Sequence, residues 1–109
     1  MTKRKNIDPK ELLDLNALLS DRVRLIIMCT LSAAEEPINF TSLLRTLELT
    51  KGNLSTHMRK LEMAGLVEVN KDFVERKPRT TYACTPKGKK EIARYLEKVE
   101  QMLQMAKHK

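Results

Sequence analysis

Glycine is scarce in this 109-residue chain, with three in all, and aromatic residues make up only 4%, with no tryptophan. So few glycines leave no glycine-rich loop of the kind that cradles a nucleotide phosphate. No apolar run approaches the ~18 residues that span a bilayer. The basic opening MTKRKN leads into no apolar signal region, so neither secretion nor a membrane partner is expected and the chain is read as cytoplasmic. Cysteine occurs only at Cys29 and Cys84, with no Cys or His at ligand spacing beside either. Two free, mostly buried thiols are expected, and no metal site. Nucleophile motifs and paired carboxylates are missing too, so no enzyme and no cofactor are expected.

What is present is positive charge, unevenly placed. The formal net charge is +7. Residues 1–50 hold seven Lys/Arg against seven Asp/Glu, whereas residues 51–109 hold fourteen against seven. The whole surplus lies in the second half, and a basic half beside a neutral one suits a face that meets a polyanion. A solvated surface tuned for solubility explains the charge alone equally well. Hydrophobic content of 41% and charged content of 32% fit one globular domain with a modest core.

Taken in order, residues 1–7 read as a frayed basic tail. A first helix is expected over 8–19, with Asp8 as cap, Pro9 in the first helical position and Glu11 closing a capping box. Its leucines, Leu12, Leu13, Leu15, Leu18 and Leu19, pack either across a dimer or over the chain's own core. Ser20-Asp21 starts a second helix that runs to about Ala34, its buried face made by Val23, Ile26, Ile27, Thr30 and Leu31 and widened by Met28 and Cys29. After Pro37, Ile38 forms a very short strand and Asn39 caps a helix over about Phe40–Leu47, with Phe40, Leu43, Leu44 and Leu47 inward. Glu48-Leu49 is the turn.

The run TKGNLSTHMRKLEMAG, Thr50–Gly65, then reads as a capped helix. Leu54, Met58 and Leu61 share one stripe at i, i+4 and i+7. The opposite face holds Gly52, Asn53, Thr56, Arg59, Lys60 and Met63, and the helix has no acid before Glu62. Two short helices across a three-residue turn, spanning 39–65, form the helix-turn-helix pattern. From Leu66 the period changes to two. A strand over about 66–71, a polar tip over Asp72–Arg79 and a second strand over Thr80–Thr85 make a basic hairpin over 66–85, the wing. Thr85-Pro86 opens a last helix over 86–107. The fold class is therefore mainly α with a small β-hairpin: a single winged helix-turn-helix domain over 1–109, with additional N- and C-terminal helices.

Acids near a helix N-terminus favour the macrodipole and cations oppose it. The first two helices obey, through Asp8, Glu11 and Asp21. The Thr50 helix instead opens with Lys51, and the Thr85 helix with Lys87, Lys89 and Lys90. Chance in a lysine-rich half gives the same pattern. Helix starts that receive phosphate also give it.

The run Leu49–Val69, LTKGNLSTHMRKLEMAGLVEV, resembles winged-helix transcriptional regulators of the ArsR and MarR type in Ser55, His57, Met58, Leu61, Ala64, Gly65, Leu66 and Val67. Leu18–Met28 resembles the helix that precedes this motif in such proteins, and Arg76–Lys90 the wing and the helix after it. The resemblance covers roughly Leu12–Lys98 and implies a small stand-alone dimeric regulator. Metal sensors of the ArsR type carry Cys-x-Cys at the start of the recognition region. Here Thr41–Thr50 holds no cysteine, so metal sensing is not expected. MarR-type proteins are usually longer, with helices that form a ligand cleft. A small-molecule effector is not expected in so short a chain, although a cleft at a dimer interface stays open.

From the resemblance and the helical wheel together, Asn53, Thr56 and Lys60 are the base-edge candidates. Lys51, Ser55 and Arg59, beside Gly52, are the phosphate candidates. Arg76, Lys77 and Arg79, with Lys71 at the base, are the wing residues that reach flanking DNA. The alternative for any one of them alone is an ordinary exposed side chain, and the set taken together favours a DNA face. His57 reads as a helix-boundary residue and not as a ligand or base, and His108 lies in the tail. Dimer contacts are expected from Leu12, Leu15 and Leu19 of the first helix and from Ile92, Tyr95, Leu96, Val99, Met102 and Leu103 of the last. The expected function is sequence-specific binding of double-stranded DNA by a homodimer, as a transcriptional regulator that leans towards repression. A winged-helix interaction module for an acidic protein partner is the rival reading.

Overall fold

The computed structural model describes residues 8–107, so the expected basic tail and His108 lie outside the described residues. The chain opens with α1 (Pro9–Leu12), capped by Asp8, whose carboxylate accepts from the Lys10 backbone N–H at 3.0 Å. The expected helix over 8–19 stops here. Asn16 offers the backbone other partners: its side-chain oxygen accepts from Leu18 N–H at 2.9 Å and its carbonyl from the Ser20 hydroxyl at 3.1 Å. Such local bonds compete with a helical ladder. The leucines divide accordingly. Leu12 and Leu19 are buried, Leu15 and Leu18 pack partly against the core, and Leu13 stands exposed.

Helix α2 (Arg22–Ala33) is capped by Asp21, which accepts from the Val23 and Arg24 N–H groups. It buries Ile27, Met28 and Leu31, not the broader face expected. Ile26 is 49% exposed, because the inward arc is centred on 27, 28 and 31 and leaves 26 on its far side. The strand β1 (Ile38–Asn39), the helix α3 (Phe40–Leu47) and its Asn39 cap fall where the sequence places them. Glu48 then takes the left-handed conformation (φ 52°), which turns the chain into α4 (Lys51–Met63). Thr50 caps that helix, its hydroxyl accepting from Asn53 N–H at 3.1 Å. Gly65, at φ +77°, ends the helical region.

The strands β2 (Val67–Val74) and β3 (Lys77–Cys84) pair antiparallel, and β1 adds to the other side of β3, giving the order β1-β3-β2. The hairpin differs from expectation. In place of a long polar tip over 72–79, the ladder runs on through Asp72–Arg79 and Val74–Lys77 to a two-residue turn at Glu75-Arg76. Both turn residues have positive φ, 52° and 68°. Polar residues alternate to opposite faces of the ribbon here, so polarity alone did not mark the end of the strand.

Helix α5 (Pro86–Lys107) starts tight against the sheet. A Cβ at Gly88 would collide with the Leu66 carbonyl oxygen and stand 2.9 Å from Cys84 Sγ. That close approach lets Ile92 and Tyr95 reach the core formed by α2, α3, α4 and the sheet. Both cysteines are free and only half-buried, more exposed than expected. Burial pushes the Cys84 thiol pKa up, and Lys89 pulls it partly back.

Candidate nucleic-acid interface

Three buried side chains, Leu54, Met58 and Leu61, fix the rotation of α4 on the core. The outward residues are therefore not free to choose another face. Lys51, Gly52, Asn53, Ser55, Thr56, Arg59 and Lys60 are all exposed. They form one basic surface, with the exposed Glu62 as its single acid at the edge, seven residues on from Ser55 and three on from Arg59. Nothing lies within 4 Å of a Cβ built at Gly52, so the fold does not require glycine there. Thr56 is already engaged: its hydroxyl donates to the Gly52 carbonyl at 2.9 Å. A base contact by Thr56 would use its oxygen as acceptor or its methyl group.

His57 lies at the boundary of α4, as the sequence suggests, but with a partner that only the fold supplies. Arg24 of α2 brings Nη1 to 3.0 Å from His57 Nδ1 and donates from Nε to the Leu18 carbonyl at 2.7 Å. A guanidinium only donates, so Nδ1 is the acceptor and the remaining ring proton sits on Nε2. Asp21 stands 4.0 Å from both Arg24 and His57. Its carboxyl is held below the ordinary value of 3.8, first by the Arg24 backbone N–H, then by the Arg24 charge and the Val23 N–H, with burial opposing.

The far end of α4 is latched to α5. The Thr85 hydroxyl donates to the Gly65 carbonyl at 2.6 Å and accepts from Gly88 N–H at 2.9 Å. Lys87 Nζ donates to the Ala64 carbonyl at 2.9 Å. Lys87, an expected anomaly at a helix start, thus serves the C-terminus of the neighbouring helix, where a cation is favourable. Sequence reasoning missed this use of Lys87 and the role of Arg24, because neither partner is near in the chain.

On the wing, Lys71, Arg76, Lys77 and Arg79 are all exposed. Arg79, however, makes a two-pronged pair with Asp72, Nε–Oδ1 3.1 Å and Nη2–Oδ2 3.0 Å. That pair holds the Asp72 carboxyl low and raises the Arg79 pKa. Arg79 therefore has a partner within the hairpin, while Lys71, Arg76 and Lys77 make no ion pair among the described residues.

The residues expected at a dimer contact divide. Leu12, Leu19, Ile92 and Tyr95 are buried within the one chain, and Leu15 and Val99 partly so. They are spent on the chain's own core because the first half of α5 packs on α2 and β3. Leu96, Met102 and Leu103 stay exposed, joined by Ile26 and Met105, which were not expected at a dimer contact, and by Leu13, one of the leucines left open between a dimer and the core. Between residues 14–16 and α5 lies an open cleft of about 230 Å³, lined by Asp14, Asn16, Glu91, Arg94, Tyr95 and Lys98 among others. Among the described residues no group of His, Cys, Asp and Glu could hold a metal ion, and no helix is long and apolar enough to cross a membrane.

A family model described as a winged helix DNA-binding domain matches residues 23–103. A solved structure of a transcriptional regulator homologue from Pyrococcus horikoshii is 34% identical, covers 90% of this chain and 95% of its own, and superposes with a TM-score of 0.81. A PadR-like transcription factor from Bacteroides fragilis superposes at TM-score 0.70 with 18% identity, covering 79% of this chain and 87% of its own. MepR of Staphylococcus aureus, solved as a DNA complex, gives 0.69 with 18% identity over 91% of this chain and 82% of its own. These last two share the fold alone.

Proposed function

This chain belongs to the winged helix DNA-binding domain family, and from that premise we propose that it is a transcriptional regulator that binds specific duplex sites as a homodimer. The observation that carries the reading is the outward surface of α4. Seven exposed residues, Lys51 to Lys60, present donors, cations and a close-approach glycine, with Glu62 as the one acid at their edge, on a helix whose rotation the core fixes. Asn53 and Lys60 read base edges, with Thr56 beside them. Lys51, Ser55 and Arg59 hold phosphates, and Lys71, Arg76 and Lys77 grip the flank. Occupancy of a promoter would act by repression. In pattern, the Ser55–Val67 run ties the chain to the ArsR and MarR type.

In the dimer, α5 and the exposed Leu13 and Ile26 face a second copy, and two α4 helices enter major grooves about one helical turn apart. The target is then an approximate inverted repeat. Selection of bound sites from random duplexes tests this directly, since it returns both sequence preference and half-site spacing. On the selected site, ~6–10 phosphate contacts give a slope of log affinity on log salt of roughly −5 to −9. No duplex binding at low salt overturns the reading and turns the basic face towards an acidic protein.

A further inference from the structure

Only four aromatic residues occur, two Phe and two Tyr. Tyr82 and Tyr95 are buried, and Phe40 packs against the core with its ring centroid 6.3 Å from that of Tyr82. Phe73 differs from all three. It is 73% exposed near the end of β2, where its side chain does nothing visible for folding.

The register says what surrounds it. Residues directly opposite in a ladder share a face, and successive residues alternate. Val69–Tyr82, Lys71–Thr80 and Phe73–Pro78 therefore lie on one face of the hairpin, while Asn70–Thr81, Asp72–Arg79 and Val74–Lys77 lie on the other. The first face begins in the core at Tyr82 and runs outward through Lys71 to end on Phe73 and Pro78. No acid lies on that stretch. The hairpin's own ion pair, Asp72 with Arg79, is on the opposite face. The distal wing thus carries an apolar pair with Lys71 behind it on the same face, Glu75 and Arg76 at the turn, and Lys77 on the opposite face. Stacked bases between two phosphate rims have the complementary layout, an apolar interior with anionic edges.

We propose that Phe73, backed by Pro78, is an apolar wedge that enters the minor groove beside the site read by α4 and partly unstacks one base step, kinking the duplex. The inference rests on the DNA-binding reading above and adds to it a source of specificity. Unstacking is least costly at a flexible pyrimidine–purine step, so the wedge selects such a step without a hydrogen bond to any base.

The test uses the full chain and the duplex recovered by selection. 2-Aminopurine is placed in turn at each step flanking the α4 site, and a donor–acceptor pair on the duplex ends reports bending. The protein is expected to raise 2-aminopurine emission at one flanking step and to shorten the end-to-end distance. Phe73→Ala is expected to lose both signals and about tenfold in affinity, at an unchanged salt slope. Its thermal melt should match that of the unaltered protein, as the side chain is exposed. Phe73→Leu keeps a wedge and should keep the kink. Lys77→Ala should keep it as well, while lowering the salt slope by about one. If Phe73→Ala retains emission, bend and affinity, the wedge is overturned while DNA binding stands. If Phe73→Ala instead shifts the oligomeric state with the bend unchanged, Phe73 belongs to a contact between copies and the wedge is again overturned. Failure of the unaltered protein to bind any duplex overturns both readings.

Discussion

Alanine at Gly88 and at Gly52 separates what folding needs from what binding needs. At position 88 the added methyl meets a backbone carbonyl, which cannot swing aside. Gly88→Ala should cost about 3 kcal/mol and lower the melting temperature by more than about 10 °C. At position 52 the methyl meets nothing. Gly52→Ala should stabilise by about half a kcal/mol, since glycine is a poor helix former, and should weaken duplex binding where DNA approaches the backbone. Thermal melts paired with a binding titration read both, and an unchanged melt for Gly88→Ala would remove the close approach as a constraint. Asp21 supplies a pH dependence. Its carboxyl titrates below 3.8 when folded, so its contribution is complete above that value and is lost as pH falls through the lower folded value. Asp21→Ala should cost about 1 kcal/mol at neutral pH through the lost cap. It should also flatten the acid limb of stability against pH, measured by urea melts over pH 2–6. The caps Asp8, Asn39 and Thr50 were legible in the sequence because a cap and its donors lie within three residues, whereas Asp21 was read only as an acid at the helix start. The partners of Arg24, Arg79 and Lys87 were not, because each depends on a strand or helix brought alongside by the fold.

At the scale of the element, the wing turn is the strained part. Two central residues at positive φ suit Asn-Gly, and here they are Glu75 and Arg76. Glu75→Asn with Arg76→Gly should stabilise the hairpin by about 1 kcal/mol and raise the melting temperature by ~4–8 °C. The same change removes one wing cation and one wing acid, so Glu75→Asn alone is the control, and duplex affinity should be lower for the double variant than for Glu75→Asn. Equal affinity of the two would separate Arg76 from DNA. The turn also explains why the strand ends were misplaced by sequence: Asn-Gly would have marked it, and Glu-Arg does not. The period-3.6 stripes of α3 and α4 were read correctly, because each buries one clean face. The leucine-rich start was read as a longer helix than α1, since the counter-signal was a single Asn16 whose bonds depend on the local path.

The whole molecule is elongated, 59 × 26 × 23 Å, with a radius of gyration of 16.7 Å against about 13 Å for a compact domain of this length. The excess comes from α5, whose buried residues end at Tyr95 while Leu96, Met102, Leu103 and Met105 stand exposed. For the homodimer proposed above, Leu103→Glu with Met102→Glu should give a monomer in sedimentation while leaving the core melt within about 0.5 kcal/mol, as expected for exposed positions. Duplex affinity should fall steeply, because two linked half-sites become one. A variant that stays dimeric would place the interface elsewhere. The latch of Thr85 and Lys87 onto the end of α4 has a mechanical side. From Gly88 to Lys107 the helix is a rigid arm of nearly 30 Å at ~1.5 Å per residue. A tilt of ~5° at its foot moves its tip by ~2–3 Å at that rise per residue. The foot is bonded to the Gly65 and Ala64 carbonyls at the end of α4, so a tilt of the arm would pull on the helix proposed to read DNA, and a grip on the tip would bear on the angle that helix takes.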